Sequence, residues 1–454
     1  MGLLKALSKV RGGYPGGWKQ YARGYQGNDT PDFVQPNDPD DRRSLIPALG
    51  LREYWYPAVS DKDVGWKKPV GLRIAGVDFT LFRDKNGQVQ ALWDYCPHRG
   101  VYLSWGDCFW KGYLSCAYHG ATFDGDGECV EFITEGPDSK MVGQLKATKF
   151  PTITLKGMVF VWMGEGEAVP PEEDIPPEFF DDVTLIQWSV RYWKCNWMIA
   201  LENTGDAHNM FYVHRDSARM LRFSNGGRPR TPIGYRVQIN NEKSVKRMGE
   251  GERTGSTSTE KYYDVGSKRP YQLYHPRVGG YWPKHRWRLL WAWFFEAIEK
   301  TRYRRTKYTN PEDWEGQRLP GMVRNNHWNH MYTRWGIPVE KELTRATYFF
   351  SSRPTNWLGR LYDKVLFKVV LEWLIHFNFS DQDYDAMRSA RYQYPEYLSS
   401  TDSPVIGLRK LVTQHARGLK KTMEINDETT AERISREMDE ELMAATGEET
   451  TASG

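Results

Sequence analysis

CPHRGVYLSWGDCFWKGYLSCAYHG, residues 96–120, carries two Cys-His pairs, Cys96/His98 and Cys116/His119, with seventeen residues between them. Two thiolates and two imidazoles suit a two-iron, two-sulfur cluster in which the cysteines hold one iron and the histidines the other, since neutral imidazoles reduce the negative charge of the site and raise its reduction potential. The short spacings put each pair on one tight loop tip, and the long spacer lets a β-hairpin bring the two tips face to face. Gly100 and Gly120 stand where such loops can bend. A structural zinc site uses the same residue types, but zinc fingers group the cysteines together and the histidines together, whereas here they are interleaved.

On these residues the stretch closely resembles a Rieske domain. Rieske proteins of respiratory and photosynthetic complexes carry an additional, disulfide-paired cysteine on each loop; Val101 and Tyr118 occupy those positions here. The resemblance is therefore to the oxygenase or ferredoxin type, for which a lower reduction potential is expected.

Around this stretch, strand signals run from Glu53 to Pro57 and from Arg73 to Phe82. Asp84-Lys85-Asn86-Gly87 marks a turn before Val89, Ala91 and Trp93 alternate, and Met158 to Met163 reads as a closing strand. Upstream, residues 1–50 lack a sustained apolar period and read as an extension. The proline-rich stretch Val169 to Pro177 is a candidate linker. The organisation expected is thus an extension (1–50), a cluster domain (51–168), a second domain (178–420) and a tail (421–454).

The second domain holds ENTGDAHNMFYVH, residues 202–214. Two histidines and an aspartate on one candidate helix suggest the two-His, one-carboxylate set that leaves positions on ferrous iron open for oxygen. The catalytic domain of Rieske non-heme iron oxygenases is similar, and Asn203, Asp206 and His214 match its frame. His208 departs from that frame, because Asn209 occupies the expected ligand position. On a regular helix His208 and His214 would point roughly 120° apart, so both bind one iron only if the helix breaks or bulges between them. By the same resemblance the third ligand is Asp383, in Ser380-Asp381-Gln382-Asp383, with Asp381 as the alternative. His275, His285, His327, His330, His376 and His415 are read as ordinary surface or core residues.

What the resemblance implies is an α+β protein: an antiparallel β Rieske domain joined to a helix-grip catalytic domain, an antiparallel sheet with covering helices. It resembles the oxygenase component of carbazole, oxoquinoline and steroid-ring hydroxylating systems, which are commonly homotrimers. In them Asp206 would bridge His119 of one subunit to His208 of the next. The implied activity is mono- or dihydroxylation of an apolar, aromatic or polycyclic substrate, with O2 as co-substrate and mononuclear Fe(II) beside the cluster. Oxidative demethylation, or electron transfer with a degenerate second iron site, are the alternatives. No dinucleotide fingerprint and no plant-type ferredoxin cluster is visible, so electrons from NAD(P)H are expected through separate proteins, a ferredoxin and/or a flavin reductase.

Composition bounds the rest. A net charge of +4 over 454 residues indicates no nucleic-acid partner. Of five cysteines, Cys108, Cys129 and Cys195 are left as free thiols, and with no signal peptide legible the expected location is cytoplasmic. Nineteen tryptophans are compatible with a roomy apolar pocket or simply with filled cores. Segment 357–379 is interrupted by Arg360, Asp363, Lys364, Lys368 and Glu372, which excludes a comfortable membrane span and favours an amphipathic helix, with peripheral membrane contact left open. Trp287 to Phe295 and Thr344 to Ser351 read as strands of a second sheet. The tail from Met423, ten acidic residues against two arginines, reads as a solvated helix or disorder.

Overall fold

The computed structural model describes residues 46–206, 213–216, 288–306, 316–327, 329–390 and 402–419, with short strands between 230 and 262 and a few single positions. Nearly all of the expected N-terminal extension, and the acidic tail, lie outside the described residues.

The first half is built from short antiparallel strands. β1 (Trp55–Ser60), β2 (Val70–Ile74), β3 (Val77–Arg83) and β4 (Val89–Trp93) precede the two cluster loops. β5 (Leu114–Ser115), β6 (Ala121–Phe123) and β7 (Cys129–Phe132) surround the second loop, and β8 (Lys149–Phe150), β9 (Thr152–Leu155) and β10 (Met158–Trp162) complete the half. They form sheets in the orders β2-β3-β4-β8, β1-β10-β9 and β5-β6-β7. The β3–β4 turn forms because Asp84 Oδ1 accepts the backbone N–H groups of Asn86 and Gln88, each at 2.9 Å, the local bonding that makes aspartate a turn residue.

The proline-rich stretch is packed. Its 3₁₀ turns, Pro171–Glu173 and Pro177–Phe179, flank Asp174, which accepts from Trp55 N at 3.0 Å and from Arg417 Nη2 at 2.5 Å. Burial raises the Asp174 carboxyl, and the Arg417 guanidinium opposes that shift.

The second half is a seven-stranded antiparallel sheet with helices over one face. Its strands are β11 (Leu185–Trp193), β13 (Tyr235–Asn240), β14 (Ser244–Gly249), β16 (Gly316–Arg318), β17 (Met322–His327), β18 (His330–Glu340) and β19 (Leu343–Ser352). The order is β11-β19-β18-β17-β16-β14-β13, while β12 (Arg230–Pro232) pairs with β15 (Glu260–Tyr262). α1 (Trp197–Glu202) follows β11, opened by Asn196, whose Oδ1 accepts from Met198 N at 2.8 Å. Across the sheet runs one long helix: α3 (Trp357–Leu366), a π turn (Phe367–Leu371), α4 (Glu372–Ile375), a second π turn (His376–Ser380) and α5 (Asp381–Met387). α6 (Ser403–His415) closes the described chain.

One expectation is overturned. Trp287 to Phe295, read as a strand, lies almost wholly in α2 (Arg288–Thr306). Short apolar runs do not separate strand from helix. The deciding residues are Glu296, Ala297, Glu299 and Lys300, good helix formers that extend the segment beyond strand length. Arg288, Ala292, Phe295, Glu296 and Glu299 are its buried positions and recur with helical period.

A single core joins the halves. Tyr56 and Phe160 pack on Trp335 of β18, with ring centroids 6.4 and 6.2 Å away. Arg345 of β19 donates to the Pro57 carbonyl at 2.6 Å, and Ala75 N donates to Pro338 O at 2.8 Å. The cluster loops sit on a separate small core that includes Phe82, Leu92, Leu103, Leu114, Phe123 and Phe132.

Candidate metal centres

The two cluster loops are built to the same plan. Tyr95 pairs with Tyr102 across the first and Ser115 with Thr122 across the second, so each closes one residue before its cysteine and two after its glycine. Gly100 N donates to Cys96 O and Gly120 N to Cys116 O, at 2.8 and 3.1 Å. Both glycines adopt positive φ, +66° and +72°, which a residue with a Cβ resists. The intervening chain makes a 3₁₀ turn (Leu103–Trp105) and is then closed on itself by the Asp107–Ser115 bridge.

The tips meet with their donors sorted by kind. His98 Nδ1 and His119 Nδ1 face each other at 3.1 Å, and the Cys96 and Cys116 thiols hydrogen-bond to one another. Cys96 Sγ also accepts the backbone N–H groups of His98 and Arg99, and Cys116 Sγ those of Tyr118 and His119. Donation from Cys96, followed by these amides, lowers the Cys116 thiol to about 6 despite its burial, while Cys96 is raised. The four donors, with Arg99, Val101, Tyr118 and Ala121, line one shallow depression. A thiol pair beside an imidazole pair, with amides aimed at the sulfurs, fits a two-iron cluster whose irons differ in ligand type. The cysteines are buried and the histidines half-buried, so the imidazole edge is the side open to an electron partner.

The second candidate centre joins three remote segments. His214, in the short 3₁₀ turn Val213–Asp216, directs Nε2 to Asp383 Oδ1 at 2.9 Å, and both side chains are buried (1% and 2% exposed). Asn203, at the end of α1, donates from Nδ2 to the same oxygen at 3.2 Å. Gln382 Oε1 lies 3.1 Å from His214 Nδ1, and Phe379 stacks on the imidazole at 3.7 Å with an 8° interplanar angle. Asp381, the alternative ligand, pairs instead with Arg191 of β11. Asp206 follows α1 with its N–H on Glu202 O at 3.1 Å. His208 and Asn209 lie outside the described residues. The orienting pair Gln382 and Phe379 was not singled out in the sequence; its only signal there is adjacency to Asp383, one and four residues away on a helix.

Under this centre Glu202 takes two bonds from Arg409 of α6, at 2.7 and 3.1 Å, and Gln317 donates to Leu201 O at 2.9 Å. These contacts hold the C-terminal end of α1, and hence Asn203, against the sheet. Cys108, Cys129 and Cys195 are buried, unbridged thiols. Burial pushes the Cys108 thiol up to about 11, which keeps it protonated and inert.

Comparison with known proteins agrees with this reading. Residues 54–150 match the family described as Rieske [2Fe-2S] domain, and residues 162–266 the family described as homotrimeric ring hydroxylase. The chain thus carries a Rieske [2Fe-2S] domain ahead of a segment of the ring-hydroxylase type, and its relatives are oxygenases. It is 27% identical over 397 residues to the terminal oxygenase component of carbazole 1,9a-dioxygenase from Sphingomonas sp, covering 82% of this chain and 93% of that protein. Its fold matches the solved terminal oxygenase of carbazole 1,9a-dioxygenase from Novosphingobium sp. KA1, with TM-score 0.60 and 22% identity over 83% of this chain and 96% of that one. It also matches an oxygenase solved in its reduced complex with ferredoxin in carbazole 1,9a-dioxygenase, with TM-score 0.60 and 21% identity over 83% of this chain and 92% of that one. Among the described residues no helix is long and apolar enough to cross a membrane.

Proposed function

We propose that this chain is the terminal oxygenase of a multicomponent system that uses O2 to hydroxylate an apolar ring substrate, with electrons relayed from NAD(P)H by a separate reductase and ferredoxin. Residues 51–168 form the cluster domain, with Cys96, His98, Cys116 and His119 as ligands, and residues 178–420 the catalytic domain, with His208, His214 and Asp383 as ligands to mononuclear iron. The observation that carries the reading is Asp383 Oδ1, reached from two directions by buried His214 and half-buried Asn203 in a chain that also carries a Rieske domain. A buried imidazole and carboxylate touching one another, each held by a neighbouring amide, are what an ion of the two-His, one-carboxylate type needs on two of its corners.

Bound there, ferrous iron would supply the oxygen chemistry, and the chain's own residues would position it. Gln382 fixes the tautomer and tilt of His214, Phe379 prevents its rotation, and Asn203 holds Asp383. Asp206, three residues after Asn203, would link the centre to the partner subunit's cluster in a homotrimer. The half-buried edge of His98 and His119 receives electrons from an acidic ferredoxin.

The test is iron and acid-labile sulfide on anaerobically purified protein, followed by oxygen uptake with candidate polycyclic arenes. About three irons to two sulfides is expected, one cluster plus one mononuclear ion. Two irons to two sulfides, unchanged by added ferrous iron, would leave only an electron carrier.

A further inference from the structure

α2 and α3 turn an unusual face to solvent. The helices lie antiparallel: Phe295 packs on Tyr362 at 5.5 Å, Arg302 sits 4.8 Å over the same ring and pairs with Asp363, and Arg288 Nη1 reaches Val369 O at 3.5 Å. Their charge pattern is inverted. Glu296 and Glu299 of α2 and Asp363 of α3 are 2%, 0% and 0% exposed, whereas Leu290, Trp291, Trp293 and Phe294 of α2 face outward. On α3 the outward residues are Trp357 (72% exposed), Leu358, Leu361 and Val365.

The exposed charges of these two helices and the π turn that follows are Arg360, Lys364 and Lys368, all basic, among the described residues. Lys368 is shared with Glu372 at 3.2 Å. Burying carboxylates while exposing large aromatics is costly unless something apolar covers the outer face. Tryptophan, phenylalanine and leucine beside a row of cations is the chemistry of a headgroup boundary, where indoles sit at the polar level, aliphatic tips enter the acyl region and lysines meet phosphates.

We propose that the α2–α3 face is a docking surface for an anionic phospholipid bilayer, which the protein binds peripherally. A second copy docked face to face here would bring two rows of Arg360 and Lys364 into one interface, with no exposed carboxylate among the described residues of the two helices to offset them. An anionic lipid surface meets both halves of the face at once, the cations through phosphate and the aromatics through the acyl boundary. Cluster and candidate iron ligands lie elsewhere, so the inference is independent of the function proposed above.

Flotation of the full chain with vesicles of neutral phosphatidylcholine, with and without about one-third phosphatidylglycerol, tests it. The chain is expected to float with the anionic vesicles and to bind neutral ones at least about tenfold less. Leu361→Glu with Trp357→Glu, and separately Arg360→Glu with Lys364→Glu, are each expected to weaken anionic binding at least about tenfold while the cluster's visible spectrum is kept. Failure of the unaltered chain to float with either vesicle overturns the proposal. So does a Leu361→Glu variant whose oligomer dissociates in size-exclusion chromatography, since the face would then lie between copies.

Discussion

His214 illustrates how a single side chain is made fit for a metal. Its Nε2 is directed to Asp383, which leaves Nδ1 to be fixed by Gln382, with Phe379 lying parallel to the ring. Gln382→Ala is expected to lower ferrous affinity by roughly 10- to 100-fold, the usual cost of losing a group that orients a ligand, while sulfide content stays constant. Iron titration of the anaerobic protein reads both. A different residue controls pH dependence. Burial raises the Glu342 carboxyl from 4.5 to about 7. Between those values the folded chain holds a proton that the unfolded chain has released, so this group's contribution makes stability fall as pH rises through that window. Glu342→Gln is expected to melt at a higher temperature than the unaltered chain near about pH 8, by about 1–2 kcal/mol, with the gap closing toward about pH 5.

At the scale of elements, the two cluster loops offer an internal control because they share one hydrogen-bond plan in different surroundings. A Cβ added at Gly100 would meet nothing within 4 Å, whereas at Gly120 it would lie 2.7 Å from Ile133 Cβ. Both sites carry the positive-φ penalty of about 1–2 kcal/mol, and only Gly120 adds a clash. Gly120→Ala is therefore expected to lower the melting temperature of the cluster absorbance more than Gly100→Ala; equal shifts would mean that Ile133 moves aside freely. α2 shows the opposite relation between sequence and element. Its apolar run looks like a buried strand, yet the helix buries its carboxylates, with Glu299 accepting from Asn329 at 2.8 Å, and leaves its aromatics outside.

For the whole molecule, the stretch between the two halves is fastened from both sides. Buried Asp174 takes Trp55 N and the half-buried Arg417, while Glu178 receives both Arg324 terminal nitrogens at 3.0 Å and Ser351 Oγ at 3.2 Å, this second group fully buried. Glu178→Gln leaves the Arg324 charge inside without its counter-ion and is expected to cost about 3–5 kcal/mol, read as a fall in the denaturant midpoint. Replacing Glu178 and Arg324 together by apolar residues of similar volume is expected to recover most of that loss. Both halves then respond as one unit, because Tyr56, Phe160 and Trp335 belong to a continuous core.

What was legible in the chain was short-range. Cys96, His98, Cys116 and His119 sit at spacings that chain geometry converts directly into two loop tips, so their meeting as a thiol pair beside an imidazole pair followed from the residues and their resemblance to the Rieske pattern. Strand boundaries around Asp84 to Gly87 followed for the same reason, since the turn bonds run from residue 84 to residues 86 and 88. The tertiary structure decided what depends on distant partners. Asp383 meets His214 although Gln382 and His214 are 168 positions apart, and Asp381, two residues away, is claimed by Arg191 of β11 instead. That choice is set by how the long helix lies across the sheet, and no local spacing encodes it. The outward aromatics of α2 also required the fold, because apolar residues are assigned to a core by habit, and only packing shows which face of a helix the core receives.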